Sequence, residues 1–249
     1  MEGRNFIRLS LDVDENTLTL LKYDFINLDW PIQEELCVSI QKEGNLLYDS
    51  CKKEKSMIID IIEYQLKDGR TARIRSPKDE DIQEMLDFLY VSAGETDFLM
   101  RCPEECGRYT PESEKQRFDR VNKADNETML LCFVEGKLAG SGQTMWSKRV
   151  KIRHRASIAV TVLRQFWSQG IAARLMQELI KIAEKNPDIL QTELEFVEGN
   201  TRARALYEKM GFRITGVKPD AIRLKDGALL NEYSMMRKIK RQPSALSKT

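Results

Sequence analysis

Gly170, Asn200 and Tyr207 are the residues whose types and settings point to chemistry in this chain of 249 residues. Gly170 lies in Val160–Leu179, VTVLRQFWSQGIAARLMQEL, where a β-rich run passes through a turn into an amphipathic helix. A strand that ends at a small-residue turn and a helix N-terminus offers free backbone N–H groups and the positive end of the helix dipole. Ser168, Gln169, Gly170, Ile171, Ala172 and Ala173 would supply such donors. Gly170 has no side chain, and Ala172 and Ala173 have only methyls, so a phosphate can approach the backbone closely. An ordinary strand-to-helix connection containing one glycine is the alternative. Asn200 sits where it caps a second, shorter helix, and Tyr207 follows seven residues later. A tyrosine on such a helical face is ordinarily core packing with a satisfied hydroxyl.

Other chemistries find little support. The five cysteines, Cys37, Cys51, Cys102, Cys106 and Cys132, are odd in number. Without a secretion signal at the N-terminus they read as reduced thiols. Cys102-Pro-Glu-Glu-Cys106 lacks the paired spacings and nearby histidines of a zinc site, so no metal is expected. His154 is the single histidine, and nothing around it supports a Ser–His or Cys–His relay. Forty Lys+Arg against 39 Asp+Glu give no global argument for nucleic acid or an anionic membrane. No apolar run approaches the roughly 20 residues that span a bilayer. A cytoplasmic protein is expected.

The elements that must position these residues are legible from Lys67 onward. Gly69–Arg75 alternates as a strand, and Ser76-Pro77, with Asp79 after it, reads as a helix start. Ile82, Met85, Leu86 and Leu89 share one face of that helix. Thr110-Pro111 opens a second helix carrying Phe118 and Val121. MLLCFVE and LAGSGQTMWS form a hairpin about Gly136, and RVKIRHRASIAVTV reads as a long strand beside it. The helix after Gly170 has the apolar stripe Ile171, Leu175, Leu179 and Ile182. ILQTELEFV is a strand, Asn200–Met210 a helix closed by Gly211, and FRITGVK and ALLNEYSMM are strands flanking Asp226-Gly227. The order β–α–α–β–β–β–α–β–α–β–β predicts an α/β (α+β) mixed sheet with helices on its faces. Residues 1–66 read as a small β-rich extension, with hairpins about Asp14-Glu15-Asn16 and Lys42-Glu43-Gly44-Asn45 and a break at Trp30-Pro31. Within them KSMIIDIIEYQL is open between helix and buried strand. Residues 239–249 read as a polar tail.

Taken in order, the two turn-helix stretches resemble those of the GNAT superfamily of N-acetyltransferases. Its coenzyme A signature, Arg/Gln-x-x-Gly-x-Gly/Ala, is matched by Trp167-Ser-Gln-Gly170-Ile-Ala172. Its second motif, Asn-x-x-Ala-x-x-Leu-Tyr-x-x-x-Gly-Phe, is matched by Asn200, Ala203, Leu206, Tyr207, Gly211 and Phe212. The likeness covers about residues 67–238 and is closest to bacterial members. It implies the GNAT acyl-CoA N-acyltransferase fold and transfer of an acetyl group from acetyl-CoA to a primary amine by direct attack in a ternary complex. It further implies that Ser168 to Ala173 cradle the pyrophosphate, and that Val160, Thr161 and Val162 pair with the pantetheine arm like an added strand. Asn200 would bond that arm from the other wall, a backbone N–H near Val160 would hold the oxyanion, and Tyr207 would protonate the departing thiolate.

Two features depart from the pattern. Trp167 stands where Arg or Gln is usual, and Ser168 where Gly is common. Trp167 and the unexplained N-terminal extension keep a rival open, a non-catalytic GNAT-like sensor or interaction module that binds acyl-CoA without turnover. A dinucleotide-binding domain is disfavoured by Ser168 and by the non-alternating fold. The resemblance places the acceptor site in GETDFLMRCPEE and at the Lys225-Asp226-Gly227 hairpin, without naming the acceptor: a small-molecule amine, a protein N-terminus or a lysine. Glu193, Glu195 and Glu198 remain equal candidates for solvated charges or a general base. The role of residues 1–66 and the oligomeric state, a homodimer included, are not specified.

Overall fold

A computed structural model describes residues 57–239 and the backbone of two short strands before them. The chain divides into two units, residues 1–53 and 54–249. In the first, β1 (Ser39–Lys42) and β2 (Asn45–Asp49) pair antiparallel, with Lys42 opposite Asn45, as the turn residues between them predict. The hairpin expected about Asp14-Glu15-Asn16, the break at Trp30-Pro31 and the tail beyond Ile239 lie outside the described residues.

The second unit is built on one mixed sheet. Its strands are β3 (Ile62–Gln65), β4 (Thr71–Arg75), β5 (Glu127–Val134), β6 (Lys137–Trp146), β7 (Arg155–Val162), β8 (Gln191–Val197), β9 (Arg213–Arg223) and β10 (Leu229–Lys238). They lie in the order β3-β4-β5-β6-β7-β8-β10-β9. All neighbours are antiparallel except β7 and β8. The helices are α1 (Ile82–Gly94), α2 (Pro111–Lys123), α3 (Ile171–Lys185) and α4 (Thr201–Lys209). This is the mixed α/β arrangement expected from the element order. The sequence between Lys55 and Leu66, ambiguous by periodicity, contributes a strand: Ile62–Gln65 pairs with Thr71–Arg75 at the sheet edge.

β5 is buried at every position, as a strand covered on both faces must be. The core joins Phe118 and Val121 of α2, Met85 and Leu89 of α1, and Leu130 and Leu131 of β5 to the α3 stripe. That stripe, Ile171, Leu175, Leu179 and Ile182, is buried as its spacing predicts. Two glycines of β6 bring α3 close to the sheet. A Cβ on Gly142 would meet Leu179 Cδ1 at 2.9 Å, and one on Gly140 would meet Ile171 Cγ2 at 3.2 Å.

Two local expectations are corrected. Ser76 does not cap α1; its hydroxyl accepts the Ile59 N–H at 3.1 Å. The α1 entry is instead held by Asp81, which accepts the Lys78 N–H and two charge-assisted bonds from Arg75, at 2.6 and 2.7 Å. A bidentate pair of this kind outweighs a neutral cap. The long strand expected from Arg149 begins at Arg155, because residues 150–154 turn, Ile152 and Arg155 donating to Arg149 and Ile152 respectively.

Candidate active site

The parallel partners β7 and β8 are paired only at Arg155–Gln191, Ala156–Thr192 and Ser157–Glu193. Beyond Ser157 they diverge, while each keeps its other neighbour: β7 stays on β6 through Val162, and β8 on β10 through Val197. The direction of the freed backbone groups follows from register. Leu163 N–H donates to Ala139, so Val162 and Gly140 form a non-hydrogen-bonded pair. The alternation then turns the N–H and C=O of Val160 and Val162 toward the gap and those of Thr161 toward β6. By the same logic, Glu198 donating to Asn231 turns the Glu195 and Val197 groups toward the gap from the other wall. Thr161 therefore has no backbone group to offer there, unlike its two neighbours.

At one end of this gap the chain leaves β7, forms a short 3-10 turn at Arg164–Phe166 and enters α3. Gly170 is the residue before α3, at φ +91, which only glycine adopts without strain. A Cβ there would meet nothing within 4 Å, so the space above the turn is open. The N–H groups of Ile171, Ala172 and Ala173 belong to the first turn of α3 and have no intrahelical acceptors. Gln169 differs from its neighbours: the others from Ser168 to Ala173 line the cleft, whereas its Oε1 is buried with no hydrogen-bond partner among the described residues.

The second wall comes from α4. Asn200 caps it, Oδ1 accepting the Ala203 N–H at 3.1 Å, as its position predicts. Asn200 also lines the cleft, and its side-chain amide nitrogen makes no bond to another described residue. Tyr207 is buried between Phe196 and Phe212, each ring centroid 6.3 Å from its own. Burial pushes its phenol up to about 12, so it is protonated at neutral pH. Its ring lines the cleft, and its hydroxyl bonds to no other described residue's side chain or backbone.

Trp167 was legible only as a departure. The structure shows what it does: its indole N–H donates to the Val162 carbonyl at 2.7 Å, on the open edge of β7. The indole also carries the guanidinium of Arg202 at 4.3 Å and that of Arg164 at 5.4 Å from its ring.

The cleft, about 1030 Å³, runs from this cradle along the gap to its acceptor end. There it is walled by Glu95, Thr96 and residues 98–101, and by Glu195 of β8 and Ser234 of β10. Glu95 ties the α1 end to the cradle loop, its carboxylate accepting the Arg164 N–H at 2.7 Å and its carbonyl accepting from the Arg164 guanidinium. Lys225, at the β9–β10 tip, pairs with Glu104 at 2.6 Å, joining the two segments expected to flank the acceptor. Of the three glutamates weighed as bases, Glu193 pairs with Arg155, Glu195 with Lys218, and Glu198 accepts the Asn231 N–H. His154 does not line the cleft; its carbonyl accepts the Leu190 and Gln191 N–H groups. Among the described residues no three metal-ligating side chains converge, and no helix is long and apolar enough to cross a membrane.

Known proteins are similar to this chain in sequence and in fold. Residues 96–212 match the model of the Acetyltransferase (GNAT) family. An acetyltransferase of the GNAT family from Streptococcus pneumoniae superposes with a TM-score of 0.64 at 26% identity, covering 68% of this chain and 99% of that one. Over these residues the chain resembles the GNAT acetyltransferase family. The L-amino acid N-acetyltransferase AaaT of Escherichia coli is 26% identical over 108 residues, 43% of this chain and 66%, just under two thirds, of that protein. The GNAT fold is shared with an acetyltransferase from Salmonella typhimurium solved with its cofactor acetyl-CoA, at TM-score 0.58 and 16% identity, covering 69% of this chain and 97% of that one.

Proposed function

We propose that this chain transfers the acetyl group of acetyl-CoA to a primary amine, by direct attack of the amine within a ternary complex. The observation that carries the reading is the coincidence of three features at one gap. These are the backbone groups of Val160 and the N–H of Val162 freed from strand pairing, the unpaired N–H groups opening α3, and the neutral phenol of Tyr207 on the facing helix. The residues present suit that co-substrate. Gly170, Ile171, Ala172 and Ala173 offer converging N–H donors to a pyrophosphate, and Ser168 adds a hydroxyl at the rim. The Val160 and Val162 edge offers alternating donors and acceptors to an amide-rich arm, as an added strand would require. Asn200 contributes its amide N–H from the opposite wall.

In this reading the amine enters from the side walled by Glu95, Thr96 and residues 98–101 and attacks the thioester carbonyl in the gap. The Val160 N–H holds the charge that develops on the carbonyl oxygen. Tyr207 gives its proton to the departing thiolate. The E. coli relative acts on L-amino acids, which makes them the first acceptors to test.

The decisive experiment combines thermal shift with acetyl-CoA and thiol release over an amine panel. Stabilisation by acetyl-CoA together with turnover supports the enzyme. Stabilisation without turnover on any amine supports the sensor, a reading favoured by the indole of Trp167 bonded to the open edge of β7. No stabilisation overturns both.

A further inference from the structure

Arg101 is the unexplained charge in the cleft. It sits on the acceptor side, half-buried, in the segment between α1 and α2. Its Nε donates to the Leu89 carbonyl at 3.3 Å and its Nη2 to the Ser92 hydroxyl at 2.6 Å. Both acceptors are neutral. A guanidinium carries five N–H donors, so both Nη1 hydrogens and one on Nη2 have no protein acceptor among the described residues. No carboxylate pairs with it there. The other cations lining the cleft are accounted for: Arg155 is bound bidentate by Glu193, Arg202 lies on Trp167 at the cradle, and Lys67 is exposed.

A guanidinium withdrawn from water without a counter-charge is costly unless something anionic completes it. Desolvation dominates its environment and lowers its pKa, Tyr109 and Cys106 acting against it and Arg117 with it; the group nevertheless stays charged. Its two bonds to α1 hold the planar fork still, which is the arrangement that receives a carboxylate through paired bonds. Ser92 is itself oriented, its hydroxyl donating to the Leu89 carbonyl at 3.2 Å.

We propose that Arg101 anchors the carboxylate of the acceptor, so that the substrates of this site are free amino acids or similar amino carboxylates, not protein lysines or N-termini. This rests on the acetyltransfer reading above and narrows it. The fork takes the carboxylate on the acceptor wall, leaving the amine of the same molecule to reach the gap between β7 and β8.

The test is the steady-state acetylation of L-amino acids against their own carboxamides, which keep shape and amine but lose the anion. A charge-assisted bond of this kind corresponds to about tenfold or more in kcat/KM in favour of the free acids. In Arg101→Gln the two classes should converge, the loss falling on the KM of the free acids, with acetyl-CoA affinity by calorimetry retained. If Arg101→Gln does not fold, Arg101→Lys, which keeps the charge without the fork, should show a smaller preference than wild type. Equal rates on acids and carboxamides by the wild type, or an equal loss on both in Arg101→Gln, would make Arg101 a helix-end support and overturn the assignment while leaving acetyltransfer standing. Acetyl-CoA binding with no turnover on any amine would remove acetyltransfer and this assignment together.

Discussion

The indole N–H of Trp167 donates to the carbonyl of Val162 at 2.7 Å. Five residues of loop therefore close onto the last open-edge carbonyl of β7, which otherwise faces the gap. The same indole carries Arg202, whose guanidinium reaches Ser168 Oγ at 3.3 Å. A residue that departs from the family signature thus braces the cradle by a side chain instead of lending a charge to a ligand.

Trp167→Phe keeps the ring and removes the donor. One neutral hydrogen bond contributes about 1 kcal/mol, so the melting temperature should fall slightly. The acetyl-CoA dissociation constant should rise about fivefold, by calorimetry, as the loop loosens. Tighter binding would mean that the indole competes with the ligand for the Val162 carbonyl.

Tyr207→Phe should lower kcat by about tenfold or more with acetyl-CoA affinity preserved. The wild-type phenol stays a proton donor throughout neutral pH, since burial pushes it from 10.0 up to about 12. The sign for stability follows. The folded state holds this proton more tightly, so the contribution is complete below pH 10 and is lost as pH rises through 12. Alkaline unfolding followed by circular dichroism should show less loss between those limits in Tyr207→Phe.

Gly142→Ala and Gly170→Ala should fail for opposite reasons. At Gly142 the backbone tolerates a side chain, but Leu179 stands 2.9 Å from the new Cβ. Overpacking of this sort costs about 1–3 kcal/mol, measured by urea unfolding. At Gly170 the space is open but φ is +91, costing about 1 kcal/mol of backbone strain. The larger effect there should be on acetyl-CoA affinity, because the methyl enters the space above the α3 N–H groups.

Lys225→Ala breaks an ion pair between two exposed side chains. Surface pairs contribute little to stability, so the melting temperature should be nearly unchanged. Because Glu104 and Lys225 join the segments proposed to flank the acceptor, KM for the amine should rise while KM for acetyl-CoA does not. The difference should shrink at high salt, where exposed charges are screened. A rise in both constants would place the contact in the general scaffold.

What was legible in the sequence is local. The φ-positive Gly170 before α3, the Asn200 cap of α4, the Thr110-Pro111 start of α2, the Gly211 stop and the buried α3 stripe depend on neighbours within a turn or two, and each was readable from residue type and spacing. The order of elements likewise sufficed for the fold class. Ser76 shows the limit: a good local cap was displaced by a charged pair at Asp81 and a partner from Ile59. Everything decided by strand register or by long-range contact waited for the tertiary structure. The parity that turns Val160 and Val162, but not Thr161, toward the gap depends on how β7 meets β6. That no described carboxylate pairs with Arg101 depends on how the fold disposes distant segments, which spacing along the chain does not record. The sequence by itself determined that a strand would run through a glycine turn into an amphipathic helix. Only the packed sheet decided that this strand would part from β8 and open an edge there, because pairing between strands is a contest among distant segments.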